Sequence, residues 1–321
     1  MAILEVRSLK KYFPVTGGVF LRRTGWIYAL DDVSFELEKG KTLGIVGESG
    51  CGKTTLGRCI MGLYKPTAGQ VIVNNRQVSN LKAQQRKKLA LDLQMIFQDP
   101  FESLNPRQTI RQILEEKFII HGTAGNDLDD QLTILLERSG LHPEVLAKFP
   151  HEFSGGQRQR IGIARAISMN PKIIICDEPV SALDVSVQSK ILNLLLDLQR
   201  ELDLTYIFIS HDLSVVRHIS DTIAVMYMGK IVEMGEAGMV YKKAFHPYTR
   251  ALLSAIPVPD PEVCSSQIVL SGEIPSVEHP PAGCRFNTRC IHKKQICEQE
   301  EPILRNNEDD PDHATACHFF Y

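Results

Sequence analysis

Gly47-Glu48-Ser49-Gly50-Cys51-Gly52-Lys53-Thr54 reads as a loop that cradles phosphate. The apolar run 43–46 before it reads as a strand and 55–62 after it as a helix, which is the context such a loop requires. Its glycines let backbone amides turn inward around β- and γ-phosphates, and the helix N-terminus adds partial positive charge. Lys53 would neutralise phosphate, Thr54 would place its hydroxyl on Mg²⁺, and Thr55 follows inside the helix. Working outward, short β-branched runs at 42–46, 71–73, 95–97, 172–176, 205–209 and 222–226 alternate with amphipathic helical stretches. Ile191, Leu194, Leu195 and Leu198 recur at the spacing of one helix face. Nearly all-apolar strands joined by helices imply an α/β fold with a largely parallel sheet.

A second glycine-rich anion cradle, Ser154-Gly155-Gly156-Gln157, stands about a hundred residues after the first. It precedes Ile173-Ile174-Ile175-Cys176-Asp177-Glu178, a buried strand that delivers two carboxylates at its C-terminal end, where ligands bind in open α/β sheets. Asp177 fits a Mg²⁺ holder, and Glu178 a general base that polarises the attacking water. One ATP needs only one phosphate loop. A chain with two kinds of loop reads as half of a machine in which each subunit covers the other's nucleotide.

Composition sets the remaining bounds. The 321 residues suggest about two domains. A formal net charge of −2 gives no global field favouring nucleic acid or an anionic membrane. The basic run Lys82, Arg86, Lys87 and Lys88 reads as a solvated helix face. The N-terminus has no long apolar segment and does not read as a secretory signal. No apolar window approaches the ~18 residues of a bilayer span, so a soluble chain is expected, with any membrane role coming through partners. Eight cysteines without an export signal argue for reduced thiols or metal ligation. Proline becomes dense after about residue 241, and four cysteines fall between Cys284 and Cys317 in a loop-rich tail that needs a staple.

The motif set resembles the ATP-binding cassette (ABC) family. The resemblance implies an ABC ATPase with a mostly parallel P-loop sheet core over residues 1–240. It also implies an inserted helical subdomain at about 106–170 and a small C-terminal extension at 241–321. Gln98, in Met95-Ile96-Phe97-Gln98-Asp99-Pro100, is similar to the Q-loop glutamine, which contacts Mg²⁺ and relays nucleotide state to a membrane partner. Phe153-Ser154-Gly155-Gly156-Gln157 resembles the signature motif, with phenylalanine where leucine is commoner. That motif, with the helix expected at 158–169, would bind the γ-phosphate of ATP held by the other subunit. Ser181-Ala182-Leu183-Asp184 resembles the D-loop, and His211 the switch histidine. Phe13 is the expected adenine-stacking aromatic, with Tyr12 and Tyr28 as rivals.

The stretch Ala244-Phe245-His246-Pro247-Tyr248-Thr249-Arg250-Ala251-Leu252 and the later Gly283-Cys284-Arg285-Phe286 resemble the extension of dipeptide and oligopeptide importer ATPases, F-type subunit. This implies an ATP-hydrolysing translocase motor on the cytoplasmic face of the membrane. It would work with a second ATPase subunit, two permeases and an extracytoplasmic binding protein, with peptide as cargo. Nickel or metal chelates are the alternative cargo, and a soluble ABC ATPase the alternative class. Cys284, Cys290, Cys297 and Cys317 lack the tight pairs of zinc sites. Four thiolates can hold a [4Fe–4S] cluster, which the resemblance implies here, with Zn²⁺ or unligated thiols as the alternatives; His292, His313 and His318 are nearby zinc candidates but read first as bland loop residues. Cys59 and Cys176 read as small buried hydrophobes, Cys51 as an unremarkable variable loop position with oxidant sensitivity as the lesser reading, and Cys264 has no evident partner.

Overall fold

The β-branched runs form strands close to where the sequence places them, in a computed structural model that describes residues 2–17, 22–79, 81–99, 103–256, 267–270, 272–273, 275–307 and 310–319. Cys264 and the prolines at 257, 259 and 261 lie outside the described residues. Contacts divide the chain into two compact units, one of residues 38–41 and 80–208, the other of 2–37, 42–79 and 209–321.

In the first unit, strand Ile173–Asp177 is buried at all five positions, which accounts for its unbroken apolar run. It pairs in parallel with Leu93–Ile96, Leu93 lying opposite Ile173 and Ile96 opposite Cys176. The helical block holds Ile110–His121, Leu128–Arg138 and Gly155–Ile167, with 3-10 turns at Pro143–Ala147 and Pro150–Glu152. Thr109 caps the first of these helices and Gly122, at φ 70°, ends it. Ile113, Leu114, Leu132, Leu136, Ile161 and Ile163 form the core of this block. The helix Val185–Leu202 buries Ile191, Leu192, Leu195 and Leu198, so Leu192 takes the core place expected of Leu194.

The second unit contains two sheets. One is antiparallel, in the order Arg22–Glu38, Ala2–Gly17, Ala68–Val73, Arg76–Gln77. The alternating N-terminus is therefore a strand, with Leu4 opposite Val73 and Val6 opposite Val71. Asn74 and Asn75, at φ 48° and 58°, make the left-handed turn that joins the last two strands. Within this unit, the strands of the other sheet run Arg305–Asn306, Ala314–Thr315, Lys230–Glu236, Thr222–Tyr227, Thr42–Val46. Its final pair is parallel, with Leu43 opposite Thr222 and Val46 opposite Val225. The pairs involving Lys230–Glu236 and the C-terminal strands are antiparallel. The phosphate-loop strand thus has a parallel neighbour in Thr222–Tyr227, beyond which antiparallel strands extend the sheet. The tail packs better than its composition suggests: Phe245, Tyr248, Ala251, Phe286, Cys297 and Ala316 are all buried.

Candidate nucleotide site

Each glycine of the phosphate loop answers a geometric demand. Gly47 has φ 153°, and a Cβ there would lie 2.2 Å from the Met226 carbonyl oxygen. Gly52, at φ 110°, caps the helix Lys53–Ile60, and its Cβ would meet the Ala29 carbonyl at 2.3 Å. Gly50, at φ 80°, faces open space. Ser49 is exposed, Thr54 and Thr55 are half-buried. The Lys53 ammonium is buried and donates to the carbonyls of Gly47 (2.7 Å) and Glu48 (3.0 Å). A cation is therefore held inside a ring of left-handed and glycine backbone, the donor set a polyphosphate requires. Burial pushes the Cys51 thiol up, against the pull of Lys53. Burial thus disfavours the reactive thiolate, which counts against the lesser reading of Cys51 as oxidant-sensitive.

Four other sequence-predicted residues share this unit. His211 is exposed directly after strand Thr205–Ser210, and its neighbour Asp212 caps the helix Leu213–Ile219 by accepting from Ser214 N (2.8 Å). Phe13 is half-exposed, with Lys11 Nζ 4.7 Å above its ring and Tyr64 5.4 Å away edge-on. Its rivals are engaged with each other: Tyr12 and Tyr28 meet at 4.8 Å, and Tyr12 donates its hydroxyl proton to Asp31 (2.6 Å).

The carboxylates and the signature stretch lie in the first unit. Asp177 is buried at the end of its strand. Glu178 follows at φ 46°, a left-handed conformation uncommon for a glutamate. The exposed Gln98 amide donates to a Glu178 carboxylate oxygen at 3.0 Å. Ser154 and Gln157 form a reciprocal capping box: Ser154 Oγ accepts from Gln157 N (3.4 Å), and Gln157 Oε1 accepts from Ser154 N (3.0 Å). The helix therefore starts at Gly155, three residues before the expected 158. Gly155 and Gly156 let this helix approach its neighbours, since a Cβ on Gly156 would lie 2.5 Å from Val187 Cγ1. Asp184 caps Val185–Leu202 by accepting from Val187 N (2.9 Å), a bond that holds its carboxyl below the usual range.

Sequence reasoning missed several buried polar groups. Arg158 braces the approach to the signature helix by donating to Pro150 O (2.6 Å). Glu233, fully buried, accepts from Phe245 N (2.7 Å) and His246 N (3.1 Å) and meets His313 Nε2 at 2.8 Å. His313, expected to be a bland loop residue or zinc ligand, is a buried partner of this carboxylate. Arg289 grips Glu48 in the phosphate loop. Hints lay in the unexplained charges of the tail, but nothing in their spacing names a partner.

Cys59 and Cys176 are buried as expected, and burial raises both thiols, Cys59 up to about 11. Cys284 is pushed up to about 12 by burial and by the other three tail cysteines. Cys290 and Cys317 are raised by burial and by neighbouring thiols. The four thus share one neighbourhood. Yet among the described residues no three His, Cys, Asp or Glu side chains form a group able to hold a metal ion. The expected [4Fe–4S] cluster, and the zinc alternative, therefore have no ready ligand set among the described residues.

Comparison with known proteins agrees with this arrangement. Residues 30–181 match the ABC transporter family. Residues 232–297 match the family described as oligopeptide/dipeptide transporter, C-terminal region. The oligopeptide transport ATP-binding protein AppF of Bacillus subtilis is 53% identical over 99% of this chain and 97% of its own. OppF of Salmonella typhimurium, also an oligopeptide transport ATP-binding protein, is 47% identical over 98% and 95%. A structure of MJ0796, described as a dimeric post-hydrolysis state of an ATP-binding cassette bound to ADP and Pi, is 29% identical, covering 73% of this chain and 98% of that one, with a TM-score of 0.64. Two family models in succession and relatives matched over nearly the whole chain leave one family: the chain belongs to the ABC transporter ATPases, among the ATP-binding subunits of oligopeptide and dipeptide transporters.

Proposed function

We propose that this chain is the motor subunit of an importer for short peptides, which couples ATP-driven closure of two cassettes to movement in partner permeases. The observation that carries the reading is the full-length match to oligopeptide transport subunits, extension included. Residues 1–240 would form the nucleotide-binding part and 241–321 the extension. In this reading Gly47–Thr55 holds the phosphates and Phe13 the adenine. Thr54, Gln98 and Asp177 would hold Mg²⁺, which neutralises charge on the phosphates. Glu178 orients and deprotonates water, with His211 contacting the γ-phosphate. Ser154, Gly155, Gly156, Gln157 and Asp184 would complete the other subunit's site. The left-handed turn at Glu178 and its Gln98 partner support the pairing of base and relay.

No helix among the described residues is long and apolar enough to cross a membrane. Placement on the cytoplasmic face would therefore come through two permease subunits, with a binding protein delivering cargo outside. As a finer part of the proposal, the shared neighbourhood of Cys284, Cys290, Cys297 and Cys317 supports a thiolate-held group, an iron–sulfur cluster before zinc. The missing ligand set counts against it. Iron, zinc and acid-labile sulfide per chain, on protein purified without oxygen, decide the point: about four irons and four sulfides carry it, and none of the three removes it.

The test of the main reading is reconstitution with co-purifying membrane subunits in vesicles. ATP hydrolysis stimulated by peptide-loaded binding protein, with labelled peptide accumulating inside, is expected. Stimulation by nickel and not by peptide would overturn the cargo, and absence of hydrolysis would overturn the motor.

A further inference from the structure

Glu48, the second residue of the phosphate loop, carries a carboxylate close to the backbone that must receive a polyanion. Left bare, it would repel the incoming phosphates. Arg289 meets it with two nitrogens, at 2.7 and 3.0 Å, in the bidentate geometry that pairs guanidinium with carboxylate most strongly. The arginine side chain is only 8% exposed and the glutamate 25%, so solvent screens the pair weakly. The same loop residue is held a second time, because Glu48 N donates to the Tyr248 hydroxyl at 2.9 Å. Tyr248 is fully buried against Tyr227 (4.7 Å) and Phe286 (5.4 Å), so its oxygen has a fixed position.

A third hold acts one turn later. Gly229 N donates to Cys51 O (2.8 Å) and Gly229 O accepts from Asp31 N (2.8 Å). Arg285 secures this corner by donating to Met228 O (3.0 Å) and pairing with Asp31. Arg285 and Arg289 flank Phe286 on one short segment of the C-terminal extension.

We propose that Arg289, aided by Tyr248, is a positioning residue for ATP: it neutralises Glu48 and fixes the phosphate loop in its binding shape, so the extension sets nucleotide affinity. The proposal rests on the reading that Gly47–Thr54 holds the triphosphate. An ill-set loop weakens ground-state and transition-state binding alike, so the loss falls on KM rather than kcat. Arg289→Gln leaves the Glu48 charge uncompensated beside the phosphates, whereas Glu48→Gln removes both the charge and the need for its partner.

The experiment is a double-mutant cycle read by binding of a fluorescent ATP analogue and by steady-state hydrolysis on the full chain. Arg289→Gln is expected to weaken binding about tenfold, Glu48→Gln by less, and the double variant to match Glu48→Gln. Tyr248→Phe, which keeps the ring packing, is expected to weaken binding about threefold through the lost bond alone. Equal losses from Arg289→Gln in both Glu48 backgrounds would overturn the proposal, as would unchanged affinity in Arg289→Gln. If the unsubstituted chain fails to bind ATP, the nucleotide-site reading fails first, and the two failures are thereby distinguished.

Discussion

Gln98 donates its side-chain amide to the Glu178 carboxylate across 3.0 Å, and the acceptor sits on backbone at φ 46°. A glutamate in left-handed backbone stores on the order of 1–3 kcal/mol of strain, retained where the surroundings determine it. The bond holds the Glu178 carboxylate in one orientation, which suits a base. Glu178→Gln is expected to keep ATP binding and slow turnover ~10²–10⁴-fold, a barrier rise of about 2.7–5.4 kcal/mol. Single-turnover hydrolysis and equilibrium nucleotide binding check this together. Near-normal hydrolysis would remove Glu178 from the role.

Ser154 both caps its helix and opens the stretch assigned to the other subunit's phosphate. Ser154→Arg is expected to lose the cap, about 1 kcal/mol, and to block closure of the dimer sterically while the chain still binds nucleotide. Light scattering with ATP in a Glu178→Gln background would show monomer where the parent dimerises. Lost nucleotide binding in the same chain would argue against a shared site.

Much of this was legible in sequence because it is local. The phosphate loop is one run of eight residues, the capping box spans Ser154 to Gln157, and strand Ile173–Asp177 reveals its burial by having no polar residue before Asp177. The N-terminal alternation was legible too, but its partner strand was not, since Leu4 pairs with Val73 across a distance no period encodes. The same holds for Glu48 with Arg289, 241 residues apart, and for Glu233 with His313, 80 apart. The turn at Glu178 carried no signal, because a left-handed glutamate is set by its surroundings and not by its type. Tail cysteines could be counted but not placed, and the family resemblance suggested a ligand set that the described residues do not form.

Gly156 offers a packing test independent of nucleotide. A Cβ there would lie 2.5 Å from Val187 Cγ1, on a branched side chain that can yield only by moving its helix. Gly156→Ala is expected to destabilise the first unit by about 1–3 kcal/mol through overpacking. Adding Val187→Ala should restore most of the loss, because the clashing methyl is gone. Urea midpoints of the two single variants and the double one measure this, and strictly additive losses would show that the two positions do not meet.

Lys117 gives a dependence on pH whose sign is fixed by its surroundings. Its half-buried ammonium lies in the helical block, donating to Gln94 Oε1 (2.5 Å) and Arg165 O (2.5 Å). Burial, with the nearby Arg165 charge, lowers its pKa from 10.5 to about 7. Between those values the unfolded chain holds a proton that the folded chain has released. Stability therefore rises with pH across that window, by at most about 1.4 kcal/mol per pH unit from this group. Below about pH 7 both states are protonated and the slope from Lys117 vanishes. Tyrosines and thiols titrate in the same range, so the informative quantity is the difference between the parent chain and Lys117→Met. That variant has no charge to bury and is expected to lose the slope, gaining relative stability most at pH 7 and least near pH 10. Urea unfolding at several pH values reads both curves, and parallel curves would place the Lys117 pKa at its ordinary value.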